Sequence, residues 1–298
     1  MQIYKINPHV TAFYFWGDLD PANACLPVAV QNNWMSGTCQ ALGVACYSVH
    51  CGRAALIYDT LCNQEQAAQV RAYLEKELGC KKIYVALSHW HLDHVGGNIV
   101  FDDCPIISTR KTRTYLIANK AAIEEGSLWG EPPIKPLGLP NLTVDADASI
   151  FLDHLEVCLL PFHIHSDDGL ALFIPQYGLL LPGDMLEDSA TFVISPENIP
   201  THLQELARMR RLDIQRILPN HGRSRIIEQG GYPPEFIDCI SDYLQTIRSA
   251  LEKDPQAVIA PLQEILRPWF DKGVISYWAP YEGVHQNNIE QIRKSIGG

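Results

Sequence analysis

Ser88-His89-Trp90-His91-Leu92-Asp93-His94-Val95-Gly96-Gly97-Asn98 is the stretch that decides how this chain is read. It follows Ile83-Tyr84-Val85-Ala86-Leu87, an apolar run that predicts a buried strand over 82–88. In an extended segment alternate side chains share a face, so His89 and His91 point together while Trp90 and Leu92 point away. Asp93 and His94 come where the chain turns, and Gly96-Gly97 lets the backbone turn tightly behind them. Three imidazoles and one carboxylate within six residues are the donor set of a metal site, since imidazole suits zinc and iron and the carboxylate adds negative charge. A histidine cluster that merely decorates a surface would have no reason to fall at a strand end beside a glycine turn.

Four ligands on so short a segment cannot surround one ion, so further ligands belong at other strand ends. His165 follows the apolar run Leu159-Leu160-Pro161-Phe162, and Asp184 closes Leu179-Leu180-Leu181-Pro182-Gly183. His221 follows Ile217-Leu218-Pro219-Asn220 and precedes Gly222. Each is a ligand-type residue where a rigid sheet presents side chains to a common edge. His163 competes with His165. The hydroxyl of Ser166 and the strand start at Asp168-Gly169-Leu170 favour His165, leaving His163 to orient substrate or to sit satisfied at a strand end.

Working outward, strands are expected at 2–7, 11–16, 41–51, 54–58, 82–88, 105–108, 149–151, 154–160, 170–174, 178–181 and 216–218. Helices are expected at 63–78, 109–122 and 201–211, and after residue 230 only helices, at 234–253, 261–272 and 282–295. Residues 17–38 and the Gly/Pro-rich 126–140 read as long loops. With Trp34 and Trp129 they either cap the cleft or are ordinary surface excursions. The division expected is a mixed α/β unit over 1–228 and a helical extension over 229–298.

Composition excludes several classes. Of 298 residues, 47% are hydrophobic and 19% charged, which is not the balance of a disordered or fibrous chain. The net charge of -11, with no basic stripe, argues against nucleic acid as a partner. Apolar runs fall short of the roughly 18–20 residues that span a bilayer, so no membrane partner is expected. The nine cysteines form no CxxC pair, and the first residues do not read as a secretory signal. A cytoplasmic protein with reduced thiols is the expectation.

His89-Trp90-His91-Leu92-Asp93-His94 resembles the HxHxDH signature of the metallo-β-lactamase-fold hydrolase superfamily. His165-Ser166, Gly183-Asp184 and Pro219-Asn220-His221-Gly222 resemble its later motifs, in the same order, over roughly residues 1–225. The resemblance implies a four-layer αββα sandwich, here with a C-terminal helical extension, and two divalent metal ions at one edge, zinc first, with iron or manganese as alternatives. His89, His91 and His165 would hold one ion, Asp93, His94 and His221 the other, with Asp184 bridging. Catalysis would rest on Asp93 and Asp184 beside a metal-bridged hydroxide, with no serine or cysteine nucleophile. By the same resemblance Asp59 would orient a ligand histidine, although a turn or helix-capping aspartate reads equally well. His163, Trp129 and His285 are candidates for substrate contact.

The branch resembled most is that of thioesterases and lactonases. The commonest zinc β-lactamases carry cysteine at the bridging position or alter the first motif, so Asp184 disfavours antibiotic hydrolysis. The function expected is hydrolysis of a small-molecule ester, thioester or lactone. The alternatives are a mononuclear iron enzyme resembling persulfide dioxygenases, with His89, His165 and Asp184 as ligands, and a non-catalytic ligand-binding protein of the same fold. The helical tail leaves a homodimer open.

Overall fold

The computed structural model describes residues 1–27 and 32–297, so part of the first long loop lies outside the described residues. One sheet runs β1 (Gln2–Asn7), β2 (Val10–Phe15), β3 (Val44–Cys51), β4 (Ala54–Tyr58), β5 (Lys82–Ala86), β6 (Ile106–Ser108) and β7 (Leu142–Thr143), with spatial order following chain order. Its first four strands are antiparallel and the rest parallel. The second sheet contains β8 (Ala148–Leu152), β9 (Leu155–Ile164), β10 (Ser166–Ile174), β11 (Leu179–Leu181) and β12 (Arg216–Ile217) in reverse spatial order. Only its β11–β12 pair is parallel.

The chain forms the expected four-layer αββα sandwich because both faces of both sheets are apolar. Between the sheets lie Val10, Ala12, Tyr47, Val49 and Leu56 of the first and Leu155, Val157, Leu170, Leu172 and Leu181 of the second. The outer face of the first sheet, with Phe13, Ile57 and Val85, packs on two helices. After the short α1 (Gln40–Leu42), α2 (Gln64–Lys76) supplies Ala67, Val70 and Leu74 at helical spacing. It is capped by Asn63, which accepts from the Gln66 amide at 2.9 Å. After α3 (Leu92–Val95), α4 (Arg110–Glu125) supplies Leu116 and Ile123. The outer face of the second sheet, with Leu160, Phe162 and Phe173, packs on α5 (Ile199–Met209).

Beyond the short α6 (Ser224–Glu228), α7 (Glu235–Lys253), α8 (Leu262–Ile265), α9 (Arg267–Asp271) and α10 (Tyr281–Gly297) make up the C-terminal helices. Ile240, Leu244 and Ile247 of α7 and Val284, Ile289 and Ile292 of α10 share one core with β9, β10 and α5. The single helix expected over 261–272 is two, because Pro268 fits the first turn of a new helix and not the interior of an old one. Strand β9 continues four residues past the expected end, through Pro161. β8 pairs with β9 only up to Leu159, and the Pro161 carbonyl takes the Arg208 guanidinium, so the missing N–H falls on an unpaired edge.

Three buried tyrosines of the first sheet hydrogen-bond across to the backbone of the second half, two to the loop after β12 and one to β10. Tyr14 donates to the Gly222 carbonyl at 2.8 Å, Tyr47 to Pro219 at 2.5 Å and Tyr58 to Leu170 at 2.6 Å. Two of these contacts fix the loop that carries His221. The described part of 17–38 is not plain loop: it holds 3-10 turns at Gly17–Leu19 and Pro21–Cys25 and a π-helical turn at Met35–Cys39.

Candidate metal centre

Strands β4 and β5 run parallel, as do β11 and β12, so their C-terminal ends reach the same edge of the sandwich. The 88–94 segment leaves β5 there, and His165 forms the one-residue connection between β9 and β10, with a positive φ of 65°. Asp184 follows β11, and His221 follows β12. Gly183 allows Asp184 its position: a Cβ there would lie 2.7 Å from Ser88 Cβ, and its φ is 62°. Gly96 and Gly97 act differently from the expected tight turn. Their φ values, -60° and -99°, are open to any residue. What they permit is close approach, because added Cβ atoms would meet the Cys62 carbonyl oxygen at 2.1 Å and Ala67 Cβ at 2.2 Å. The 88–97 segment is thereby seated on the start of α2.

Two groups of ligand atoms result, each within 4.8 Å: His89, His91, His165 and Asp184, and Asp93, His94, Asp184 and His221. Asp184 belongs to both. Its Oδ2 is 3.0 Å from His94 Nε2, 3.4 Å from His221 Nε2, 3.7 Å from His89 Nε2 and 4.0 Å from His165 Nε2. Asp93 Oδ2 lies 3.1 Å from His221 Nε2 and 3.5 Å from His94 Nε2.

The outward ring nitrogens are occupied, which leaves the inward ones for a ligand role. His165 Nδ1 donates to the Phe192 carbonyl at 3.1 Å and His221 Nδ1 to the Gly43 carbonyl at 2.5 Å. His94 Nδ1 meets Asp59 Oδ2 at 2.9 Å. Asp59 in turn accepts the Ser88 amide at 2.6 Å and the Asn220 side-chain amide at 2.7 Å. The aspartate therefore orients a histidine of the group and does not cap a helix.

Electrostatics favour cations here. Burial, with neighbouring imidazoles, pushes His89 well below its usual pKa and His91 down to about 3, so both rings are neutral. Burial also opposes charge on His94 and His221, but Asp184, Asp93 and, for His94, Asp59 outweigh it and hold both well above the usual value. Burial would raise Asp184 too, yet His94 and His221 keep it well below the ordinary carboxylate range. Carboxylate oxygens thus face imidazole nitrogens across gaps that require a proton or a metal ion. His89 Nε2 and Asp184 Oδ1 are buried with no hydrogen-bond partner, which fits atoms whose lone pairs serve a metal ion. The donor set is one that divalent zinc, iron or manganese accepts.

The groups open onto a cavity of about 370 Å³. Trp34, Leu42, Leu92, Trp129, Phe192 and Ile194 make its walls largely apolar. Trp129 stands edge-on to His91, ring centroids 5.3 Å apart, and packs on Trp90 at 4.9 Å. Trp34 Nε1 donates to the Pro132 carbonyl at 2.9 Å, which joins the two long loops at the cavity rim. His163 lies outside both groups with its ring against His202, 5.4 Å between centroids. His285 is in the core, between the Tyr243 hydroxyl and the Ala260 carbonyl, each at 3.0 Å. It is Gly283 and Asn287, on another face of α10, that line the cavity.

Sequence reasoning did not find Glu187. Its buried carboxyl lines the cavity, accepts the Phe192 amide and the Thr191 hydroxyl at 3.1 Å each, and lies 3.9 Å from His165 Nδ1. Burial, then Asp184, pushes it up to about 8. The adjacent acidic pair Glu187-Asp188 in an apolar context was the available signal. Phe192, Ile194 and Leu42 gave none, since their approach to the site depends on tertiary structure.

The family described as the metallo-beta-lactamase superfamily matches residues 40–221. Among curated proteins, the lactamase-like protein adaB of Aspergillus niger is 25% identical over 223 residues, 73% of this chain and 61% of that protein. A beta-lactamase-like protein 2 homolog of Caenorhabditis elegans is 25% identical over 140 residues, 47% of this chain and 42% of that protein. The chain thus spans less than two thirds of either relative. Among solved structures, a metallo-beta-lactamase from Pontibacter korlensis superposes with a TM-score of 0.61 at 15% identity, covering 82% of this chain and 98% of that one. The mono-zinc form of the FIM-1 enzyme from Pseudomonas aeruginosa gives 0.59 at 14%, covering 82% and 95%. At such identities the likeness is one of fold.

Proposed function

The chain belongs to the metallo-beta-lactamase superfamily, and from that premise we propose a hydrolase that uses two divalent metal ions, zinc foremost, on a small ester, thioester or lactone bearing an apolar group. One observation carries the reading: Asp184 is shared by two complete sets of ligand atoms. A mononuclear iron oxygenase would leave Asp93, His94 and His221 without work, and those three are gathered with Asp184 as closely as the other set.

Bound divalent cations supply Lewis acidity toward a carbonyl oxygen and lower the pKa of water. The chain's residues do the rest. Asp59, fixed by Ser88 and Asn220, holds the His94 ring in the tautomer that keeps Nε2 inward. The Phe192 and Gly43 carbonyls do the same for His165 and His221. Trp34, Trp129, Phe192 and Ile194 exclude water from one side of the groups and offer an apolar bed for the acyl or leaving group.

Asp184→Ala and His91→Ala proteins, checked for folding by circular dichroism, are expected to lose hydrolysis of thioester and lactone panels. Full activity in both sinks the mechanism. Oxygen uptake with glutathione persulfide and a single iron per chain would instead favour the oxygenase.

A further inference from the structure

Far from this cavity, a second set of soft and borderline ligand atoms comes together. His9 lies in the β1–β2 turn, Cys51 ends β3, and His154 lies in the two-residue turn between β8 and β9. One ligand atom from each lies within 4.8 Å of the others. Register places them at the other end of the sandwich. Cys51 pairs with Ala54 at the start of β4, whose end leads to Asp59. Strand β9 likewise starts after His154 and ends before His165, a separation of roughly 30 Å along the strand.

We propose that His9, Cys51 and His154 form a distinct binding site for a thiophilic divalent cation of the zinc type, pinning the two sheets together at the end opposite the cavity. Cys51 Sγ is 3.6 Å from His154 Nδ1 and 3.9 Å from Nε2, so either ring nitrogen is near enough to share an ion with the sulfur. His9 is held as ligand histidines are: its Nδ1 donates to the His50 carbonyl at 2.8 Å, which leaves the lone pair on Nε2. The same two residues are tied by the His50 amide, which donates to the His9 carbonyl at 2.8 Å. Two imidazoles and a thiolate from three separate segments form a donor set that zinc takes. Asp153, whose Oδ2 is 3.5 Å from His154 Nδ1, is the carboxylate at hand for a fourth ligand. Cys51 is buried while the His154 side chain is 67% exposed, so an ion has a path in from solvent.

Cobalt(II) titrated into the chelator-stripped full chain tests this. Thiolate ligation gives a near-ultraviolet sulfur-to-cobalt charge-transfer band, whereas the His/Asp groups at the cavity give only d–d bands. At full loading the band is expected to reach the intensity of one cobalt–thiolate bond per chain, with the cavity groups taking the remaining cobalt, and to be bleached by zinc. Cys51→Ser should abolish it while the d–d spectrum of the cavity groups persists. His154→Ala, on an exposed turn where folding is not at stake, should weaken cobalt binding by more than roughly tenfold. A saturated protein without the band overturns the site. So does a band that survives Cys51→Ser and disappears in Cys39→Ser, since Cys39 is the thiol lining the cavity.

Discussion

Replacing Asp59 by asparagine changes one atom in a residue that touches no cavity, and the structure gives the cost. Asp59 has a positive φ of 67°, a conformation asparagine tolerates, so the backbone is undisturbed. Asparagine keeps an oxygen for the Ser88 amide, which Asp59 Oδ1 accepts at 2.6 Å. Its new amide nitrogen then stands where Oδ2 accepts from both His94 Nδ1, at 2.9 Å, and Asn220 Nδ2, at 2.7 Å. Donors would face donors in a fully buried site. Leaving a buried polar group unmet costs about 1–3 kcal/mol, equivalent to roughly five- to 150-fold in metal affinity. The loss should fall on the ion held by Asp93, His94 and His221, with the other set affected less. Isothermal titration with zinc of stripped protein carrying Asp59→Asn in a Cys51→Ser background, which removes the His9–Cys51–His154 group, should show one weakened step and one near that of the Cys51→Ser parent. Affinity equal to that of the Cys51→Ser parent at both steps would refute the orienting role of Asp59.

Two further outcomes follow from the geometry. Trp129 is 45% exposed at the cavity rim, so Trp129→Ala should lower kcat/KM about tenfold for substrates with a long apolar acyl chain while an acetyl analogue changes far less. Equal losses on both, measured side by side, would remove Trp129 from substrate binding. Burial pushes Asp188 up to about 6, against the pull of the Tyr232 hydroxyl and the Ser276 amide. The folded state therefore holds a proton that the unfolded chain releases near 3.8, and stability declines as pH rises from there through about 6, by roughly 3 kcal/mol. Asp188→Asn should flatten that part of the thermal-stability profile, and an unchanged slope in parallel melts would contradict the assignment.

The residues of the two candidate groups were legible because metal chemistry restricts residue type and spacing: His89, His91, Asp93 and His94 stand on one short segment, and Asp184 and His221 end apolar runs. The four-layer sandwich was legible only through the resemblance those motifs carry, while the apolar runs placed the individual strands. Other features were not legible because they are set by long-range geometry. His163 and His165 differ only in where the β9–β10 connection bends, and the bend falls on His165. On α10 the cavity receives Gly283 and Asn287 and the core receives His285, a matter of helix rotation that an amphipathic pattern alone does not settle. Trp34 and Trp129 stand in loops without periodicity, and only the contact between those loops places both at the rim.

Anomalous diffraction at the zinc edge, on crystals of Cys51→Ser protein grown with zinc, tests the central claim most directly. Two peaks are expected at the cavity, one among His89, His91 and His165 and one among Asp93, His94 and His221, with Asp184 touching both. A single peak, or peaks that leave Asp184 uncoordinated, would contradict a two-metal hydrolase.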